Sequence, residues 1–436
     1  CAGRFWAFSL AEQLLRRGYL EKLITSYPKF ETVKYGIPRN KITSILIKEV
    51  LERGWSKLPA IIKEWYNPQF IISEIFDKWA ARTITNADIF VGWSNFFLHS
   101  ARKARQKGMI TIVERGSSHM LYQQKILKEE YDAFGINGQL AHPKIIEKEL
   151  KEYAEADYIT VPSLFVKRTF LEYGVAENKL IHVPFGVDLS QFKQIPKEDK
   201  VFRVIFTGGM TLRKGVHYLL KAFAELNLPD AELMLIGSMN EEIKPFFKKY
   251  EGKFKWVGHI PQKKLHEYYS QGSVFVMMSI EEGLALVQPQ AMACGLPIIH
   301  TPNTGGEDIV RDGLDGFMIP LRDMEALKEK LMYLYKNPEI REQMSKSAKE
   351  RVQNGFTWDD YGQKIIDAYE RILSRKNIPI RECYACGGKR EYRIREVFEG
   401  GAFYECMACG IHFAYPAKEG GEKYYREVYG AEDEGY

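Results

Sequence analysis

Two stretches of this chain hold residues whose types and spacing could do chemistry. Toward the C-terminal end, Cys383-Tyr-Ala-Cys386-Gly and Cys406-Met-Ala-Cys409-Gly are separated by 19 residues. Each pair can make a tight knuckle that aims two thiolates at one ion, with Gly387 and Gly410 taking the strained turn conformation. The spacing predicts one tetrahedral structural Zn2+ held by Cys383, Cys386, Cys406 and Cys409, with a redox pair or coincidence as the alternatives. The second stretch is Ser279-Ile-Glu-Glu282-Gly283-Leu284-Ala285-Leu286-Val-Gln-Pro-Gln290-Ala-Met-Ala-Cys-Gly295-Leu-Pro297. A strand ending at Ser279, a Gly-containing turn and a helix from about Leu286 leave unpaired N–H groups where a diphosphate can dock. Glu282, just ahead of them, would repel phosphate but could bind the hydroxyls of an attached sugar.

The elements that must position these residues follow from the period of the apolar pattern. Strand-like runs at Lys22–Thr25, Thr43–Ile47, Asp88–Val91, Met109–Val113 and Tyr158–Val161 alternate with helical stretches such as Phe70–Thr83, His119–Phe134 and Pro143–Ala156. A second series has strands at Phe202–Phe206, Glu232–Ile236, Phe254–Val257, Val274–Met277 and Pro297–Ile299, with helices Val216–Leu226, Leu265–Tyr269 and Leu286–Ala293 between them. Strands alternating with helices imply parallel sheets covered on both faces, so the fold class is α/β with two doubly wound, Rossmann-like domains in tandem. Ligands of such sheets bind at the carboxyl ends of the strands, which puts the site in the cleft between the domains. An opening helix has Phe8, Leu10, Ala11, Leu14 and Leu15 on one face and closes at Gly18, with no strand and no Met before it. The first strand expected of a doubly wound sheet is missing there, as in a fragment of a longer product.

Composition narrows the function classes. The chain has 436 residues, 45% hydrophobic and 27% charged, as expected of two or three folded domains and not of a disordered or fibrous chain. Lys plus Arg exceed Asp plus Glu, 62 against 57, an excess too small and dispersed to argue for nucleic acid. The basic run Arg102–Lys107 reads as a solvated helix face. The aromatic stretch Trp55–Tyr66 fits either core packing or rest on a membrane surface. Apolar runs fall far short of a membrane span, no signal peptide is visible, and six cysteines in so long a chain point to metal and a reducing compartment. Cys294 reads as a small buried hydrophobe.

Five ordered motifs between about residues 3 and 375 resemble those of the family 4 glycosyltransferases, retaining nucleotide-sugar enzymes of the GT-B fold. Glu282 to Gln290 is similar to the family's E-x7-E region. Phe206-Thr-Gly208-Gly209-Met-Thr-Leu-Arg213-Lys214-Gly215 resembles its phosphate-binding loop, and Pro184-Phe-Gly186-Val-Asp188 the turn that ends the first domain. Thr301–Glu307 and Asp312–Phe317 resemble its later Gly-rich turns. The resemblance implies that Lys214 and Arg213 neutralise a leaving diphosphate, that Glu282 orients the donor sugar, and that His119 faces that sugar from across the cleft. Without the resemblance, His119 reads as a helix-capping or core histidine. Gly208, Gly209, Gly283, Leu284, Ala285, Leu286 and Gln290 are implied to line the donor, with Gly3 in a turn that lets acceptor or diphosphate approach the backbone. Two positions depart from the family: its loop arginine is Gly209 here, and its second glutamate, which holds the nucleotide ribose, is Gln290.

The expected organisation is a first, acceptor domain at 1–195, a nucleotide-sugar domain at 196–355, a helix at 356–375 crossing back to the first domain, a zinc ribbon at 380–415 and a tail at 416–436. The ribbon and the aromatic residues after it resemble the zinc-binding lead-in of some sugar methyltransferases. The expected activity is metal-independent transfer of a sugar from a nucleotide-sugar donor to a glycan, lipid-linked or small-molecule acceptor. Two alternatives stay open: a catalytically weak scaffold in polysaccharide assembly, or the transferase part of a longer glycosyltransferase–methyltransferase. Nucleic acid is not an expected partner, and the expected location is the cytoplasm, with peripheral contact at the inner face of the membrane left open.

Overall fold

Short runs rich in Val, Ile and Phe, each followed by a helical stretch, can satisfy their backbone only by pairing in parallel across helical crossovers. The computed structural model describes residues 6–59, 67–138, 140–376, 392–398, 401–406 and 412–415. Residues 1–366 make one compact unit and 367–436 a second.

The first lobe of the larger unit begins with helix α1 (Ala7–Arg16), which buries Phe8, Leu10 and Ala11. Strands β1 (Leu23–Thr25) and β2 (Ile42–Ser44) pair in parallel, and helices α2 (Ile47–Ser56) and α3 (Gln69–Arg82) follow. Strands β3 (Ile89–Trp93), β4 (Ile110–Glu114), β5 (Tyr158–Val161) and β6 (Leu180–His182) form a parallel sheet in sequential order. Its crossovers are α4 (Leu98–Gln106), the pair α5 (Met120–Ala133) and α6 (Pro143–Glu155), and α7 (Leu164–Glu172). The single sheet expected here is in two pieces. Ile24 of β1 and Phe90 of β3 pack on the same cluster of Ile84, Ala104 and Met109, yet their strands do not pair. The strand expected between them has no counterpart among the described residues, so side chains rather than a ladder join the pieces.

The second lobe is a six-stranded parallel sheet of β7 (Phe202–Thr207), β8 (Ala231–Ile236), β9 (Lys255–Gly258), β10 (Val274–Met277), β11 (Ile298–His300) and β12 (Gly316–Met318). Their spatial order is β12-β11-β10-β7-β8-β9. From β7 the chain winds outward through β8 and β9, then returns to β10 on the other side of β7 and winds out the opposite way. That reversal opens a crevice beyond the carboxyl ends of β7 and β10. The helices that serve it are α8 (Val216–Leu226), the one-turn α9 (Lys244–Lys249) and α10 (Leu265–Ser270), and α11 (Val287–Ala293); α12 (Met324–Lys336) and α13 (Pro338–Gln353) follow the last strand. Cys294 caps α11 on its C-terminal side, buried, with its thiol pushed up to about 12 by burial.

Helix α14 (Trp358–Lys376) leaves the second lobe, and its first turns touch the first: Arg17 pairs with Asp359 at 3.0 Å, and Phe185 packs near Tyr361. In the smaller unit, β13 (Tyr392–Phe398), β14 (Gly401–Cys406) and β15 (His412–Tyr415) form an antiparallel meander. Cys406 ends β14, while Cys383, Cys386, Cys409 and Gly3 lie outside the described residues.

Gly215 shows how tightly the loops at the carboxyl edge are set. It sits at φ +64°, and a Cβ there would lie 1.8 Å from the carbonyl oxygen of Met278 on the neighbouring loop. Gly215→Ala is expected to cost about 2–4 kcal/mol through left-handed strain plus displacement of that loop. Thermal unfolding checks this as a lower midpoint, and an unchanged one would mean that the two loops part without cost.

Candidate functional site

The crevice is built from two loops whose backbones are stitched together. The loop after β7 starts at Gly208, at φ +149°, whose N–H donates to Ile236, and runs to Gly215 at the start of α8. The loop after β10 runs from Met278 to Leu286. Ile280 N donates to Arg213 O at 2.8 Å, Glu282 N to Asn303 O at 2.9 Å and Ala285 N to Thr304 O at 3.1 Å. These bonds satisfy backbone groups that the sheet leaves unpaired. The first joins the two loops and sets Arg213 and Lys214 opposite Glu281 and Glu282, and the other two brace the β10 loop on the loop that follows β11.

Four charged side chains meet there in two pairs. Lys214 Nζ contacts a carboxylate oxygen of Glu282, and Arg213 Nη2 lies 2.8 Å from Glu281 Oε2. Both carboxylates are buried. Burial works to raise the Glu281 carboxyl, but the Arg213 charge and hydrogen bonds from Gln123 and Ser118 hold it below the usual range. Lys214, Arg213 and Glu282, expected together from the sequence, are thus brought together. Glu281 is a fourth member that sequence reasoning passed over. The available signal was a second acid beside Glu282 at the end of a wholly apolar strand, where a buried carboxylate needs a cation.

Of the remaining expected residues, Gly283, Leu284 and Ala285 follow Glu282 in the same loop. Leu286 is the N-cap of α11, and Gln290 lies within that helix, 8% exposed. Gly283 faces the first lobe so closely that a Cβ would fall 1.7 Å from Gly116 O, and Ser163 Oγ donates to Gly283 O at 2.7 Å. Gly209 has open space: a Cβ there would meet nothing nearer than Ser238 Oγ at 3.9 Å.

His119 takes up the position that its residue type alone suggested. It is the N-cap of α5, with Nδ1 accepting from Leu121 N at 3.3 Å, and its ring stacks on Tyr173 at 4.6 Å beside Phe170 and Tyr153. Burial, helped by the nearby Arg115 charge, lowers its pKa to about 4, so the imidazole is neutral near pH 7. It sits next to the crevice through the chain, since the preceding Ser118 bonds Glu281, but its ring is used in the aromatic cluster.

A second acidic cluster, Glu74, Asp77 and His99, lies in the first lobe. Lys148 Nζ is 2.7 Å from Glu74 and 3.2 Å from Asp77, and the start of α4 donates to Asp77 through His99 N and Ser100 N. Lys78 Nζ lies a further 3.3 Å from Glu74, so the cluster ties three helices with its two acids matched by two lysines. Arg102 and Arg105 of the basic run lie on the exposed face of α4 and pair with Glu155 and Asp157. Trp55 lies in the last turn of α2, while residues 60–66 of its aromatic stretch lie outside the described residues. No helix among the described residues is long and apolar enough to cross a membrane.

With two Rossmann-like sheets and a paired-charge crevice at the switch point, comparison with known proteins is informative. Residues 188–351 match the family Glycosyl transferases group 1. An uncharacterized glycosyltransferase of Methanocaldococcus jannaschii is 23% identical over 238 residues, 51% of this chain and 59% of that protein. The chain thus spans under two thirds of that curated relative. Among solved structures, a sucrose-phosphate synthase from Thermosynechococcus elongatus superposes with a TM-score of 0.63 at 20% identity, covering 84% of this chain and 92% of that one. Anabaena Alr3699/HepE, solved in complex with UDP-glucose, gives 0.60 at 14% identity over 84% and 96%. At these identities the superpositions establish the fold, an α/β arrangement of GT-B type.

Glu114, at the end of β4 under the crevice, offers a test of how dry this region is. Its Oε2 accepts from Trp6 Nε1 at 2.8 Å, and burial pushes its carboxyl up to about 7. A carboxyl with a raised folded-state pKa binds its proton more tightly in the native protein. Its contribution to stability is full below about 4.5 and is lost as pH rises through about 7. Glu114→Gln keeps the shape without titrating, so the wild type should lose about 2–3 kcal/mol relative to the variant over that range. Thermal midpoints measured side by side check this, and a difference that stays constant with pH would place the carboxyl in water.

Proposed function

We propose that this protein is a retaining glycosyltransferase that moves a sugar from a nucleotide-sugar donor to a hydroxyl of a glycan, lipid-linked or small-molecule acceptor. The observation that carries this reading is the Lys214–Glu282 pair at the switch point of the second sheet, within the segment that matches group 1 glycosyltransferases. Breaking a sugar–phosphate bond places negative charge on the diphosphate and positive character on the sugar carbon. Lys214 would exchange its contact with Glu282 for the leaving diphosphate, and Glu282, released, would accept hydrogen bonds from sugar hydroxyls. A cation so placed does the work of a divalent ion, so no catalytic metal is required. Arg213 adds positive potential from a fixed position beside Lys214. Gln290 would meet the nucleotide ribose with a neutral acceptor, weaker than a carboxylate. The acceptor hydroxyl would attack on the face the diphosphate leaves, with that phosphate taking the proton.

The experiment is a screen of nucleotide sugars by thermal shift and by slow hydrolysis, since a ligand bound to the native state raises its unfolding midpoint. Lys214→Ala is expected to cut turnover by about 10²–10³-fold, the usual loss when one such donor is removed. Wild-type rates in that variant would take Lys214 out of the mechanism.

Gly209 gives a gain-of-function test. Its open surroundings admit a side chain, and an arginine there would add a second cation facing the diphosphate. Gly209→Arg should bind UDP about tenfold more tightly than wild type, as one charge-assisted hydrogen bond allows. Equal binding in calorimetry would show that residue 209 does not look onto the diphosphate.

For the smaller unit we propose one structural zinc per chain, held by Cys383, Cys386, Cys406 and Cys409. Elemental analysis should find about one zinc, and Cys386→Ser should release it, because three thiolates bind far more weakly than four. Protein prepared without chelator that contains no zinc would defeat the assignment.

A further inference from the structure

The Glu281 side chain is completely buried, yet each of its oxygens has two donors. Oε1 accepts from Ser118 N at 2.9 Å and Ser118 Oγ at 2.7 Å, while Oε2 accepts from Gln123 Nε2 at 2.8 Å and faces Arg213 Nη2 at 2.8 Å. Three of these donors belong to the first lobe, and the fourth to the loop of the second lobe that carries Lys214. The carboxylate is therefore the point where the two lobes and both crevice loops meet. Around it further contacts join the same segments. Arg213 Nε donates to Glu281 O at 3.0 Å, Arg213 Nη2 reaches Ser117 Oγ at 3.4 Å, and Gly283 lies against Gly116. An unpaired carboxylate in this position would carry a heavy desolvation cost, so the pairing favours the arrangement in which all four donors converge.

We infer that Glu281 is a positioning residue of the donor site. Its carboxylate draws the Ser118–Gln123 segment onto the loop that carries Glu282 and fixes the Arg213 guanidinium beside Lys214, so that the site is assembled across the cleft before a donor arrives. The inference rests on the nucleotide-sugar reading given above. It separates two roles for adjacent acids: Glu282, paired with one flexible lysine, is free to exchange partners, while Glu281, with four donors, is not. It also assigns Arg213 a held position, with its charge partly balanced from below.

The test uses the full chain and a panel of UDP- and GDP-sugars, with donor hydrolysis as the rate assay. Glu281→Gln keeps shape and one acceptor but loses the charge. Ser118→Ala combined with Gln123→Ala weakens the tie from the other lobe and leaves the Arg213–Glu281 pair in place. In both, hydrogen exchange of the 115–123 peptide without ligand should quicken by about threefold or more. The Ser118/Gln123 variant should show a donor KM about tenfold higher with kcat near wild type, because saturating donor restores the closed site. Glu281→Gln should lower kcat as well, since Arg213 loses its anchor. Faster exchange with a wild-type KM in the Ser118/Gln123 variant would overturn the positioning role while leaving the donor reading intact. A wild-type chain that neither binds UDP or GDP nor hydrolyses any donor of the panel would overturn the donor reading, and the positioning role with it. A role confined to stability would reduce the yield of folded protein in these variants without moving KM.

Discussion

The adjacency of β7 and β10 in the second sheet is the constraint on which the site depends. Right-handed crossovers leave these two strands in opposite directions, so no helix covers the space beyond their carboxyl ends. The two loops that emerge there can reach each other and do so through a main-chain bond, Ile280 N on Arg213 O, and a close approach of Gly215 to Met278 O. Because backbone sets the register, residue 213 is matched with 281 and residue 214 with 282. Two adjacent cations and two adjacent acids become two parallel ion pairs, and the crevice carries four charged groups without accumulating net charge.

The pairs differ in how firmly they are held. Arginine presents a planar fork that suits several fixed acceptors at once, and Arg213 uses it on Glu281 Oε2, Glu281 O and Ser117 Oγ. Lysine is a compact charge on a flexible stem, and Lys214 has Glu282 as its charged partner. In the proposed reaction the Lys214 pair is therefore the one a diphosphate would compete for, since exchange would trade one anion for another of higher charge. Glu282 would then turn to a sugar hydroxyl that can donate to it. Nothing comparable is open to Glu281 while the lobes stay together.

Much of this was legible in the sequence because β-runs and helices with clear periods set the sheets. Tyr158–Val161, Val274–Met277 and Val216–Leu226 fall where the apolar pattern puts them. Strands β6 and β12, Leu180–His182 and Gly316–Met318, were not picked out by the apolar pattern. Glu282 was legible as an acid beside a Gly turn at a strand end, and Lys214 and Arg213 through the resemblance of their loop to a known phosphate-binding loop. Glu281 was not, because its meaning comes from Ser118 and Gln123, more than 150 residues away in the chain. His119 illustrates the opposite case: a capping role visible in its residue type, realised in an aromatic cluster of Tyr153, Phe170 and Tyr173 that only the tertiary fold assembles.

The lobes are also joined elsewhere, by an aromatic contact of Phe134 with His217, Tyr218 and Phe246 and by further polar ties. Helix α5 carries Gln123 near its start and Glu130 near its end, roughly 10 Å apart along one rigid rod. Buried Glu130 is 3.0 Å from His217 Nε2 and 2.7 Å from Arg322 Nε of the second lobe. Burial lowers the pKa of His217, so its ring donates to Glu130 as a neutral group while Arg322 carries the balancing charge. Across the cleft, Asp308 is 2.6 Å from His182 and accepts from Leu164 N, and Arg168 pairs with Glu307. Each of these ties exchanges protein partners for water when the lobes part, so little of its energy is lost. An apolar seal of the same extent would forfeit its whole burial energy on opening. Where hydrogen bonds and ion pairs carry the contact, the lobes are held in one defined register at a lower cost of parting than an apolar seal would impose.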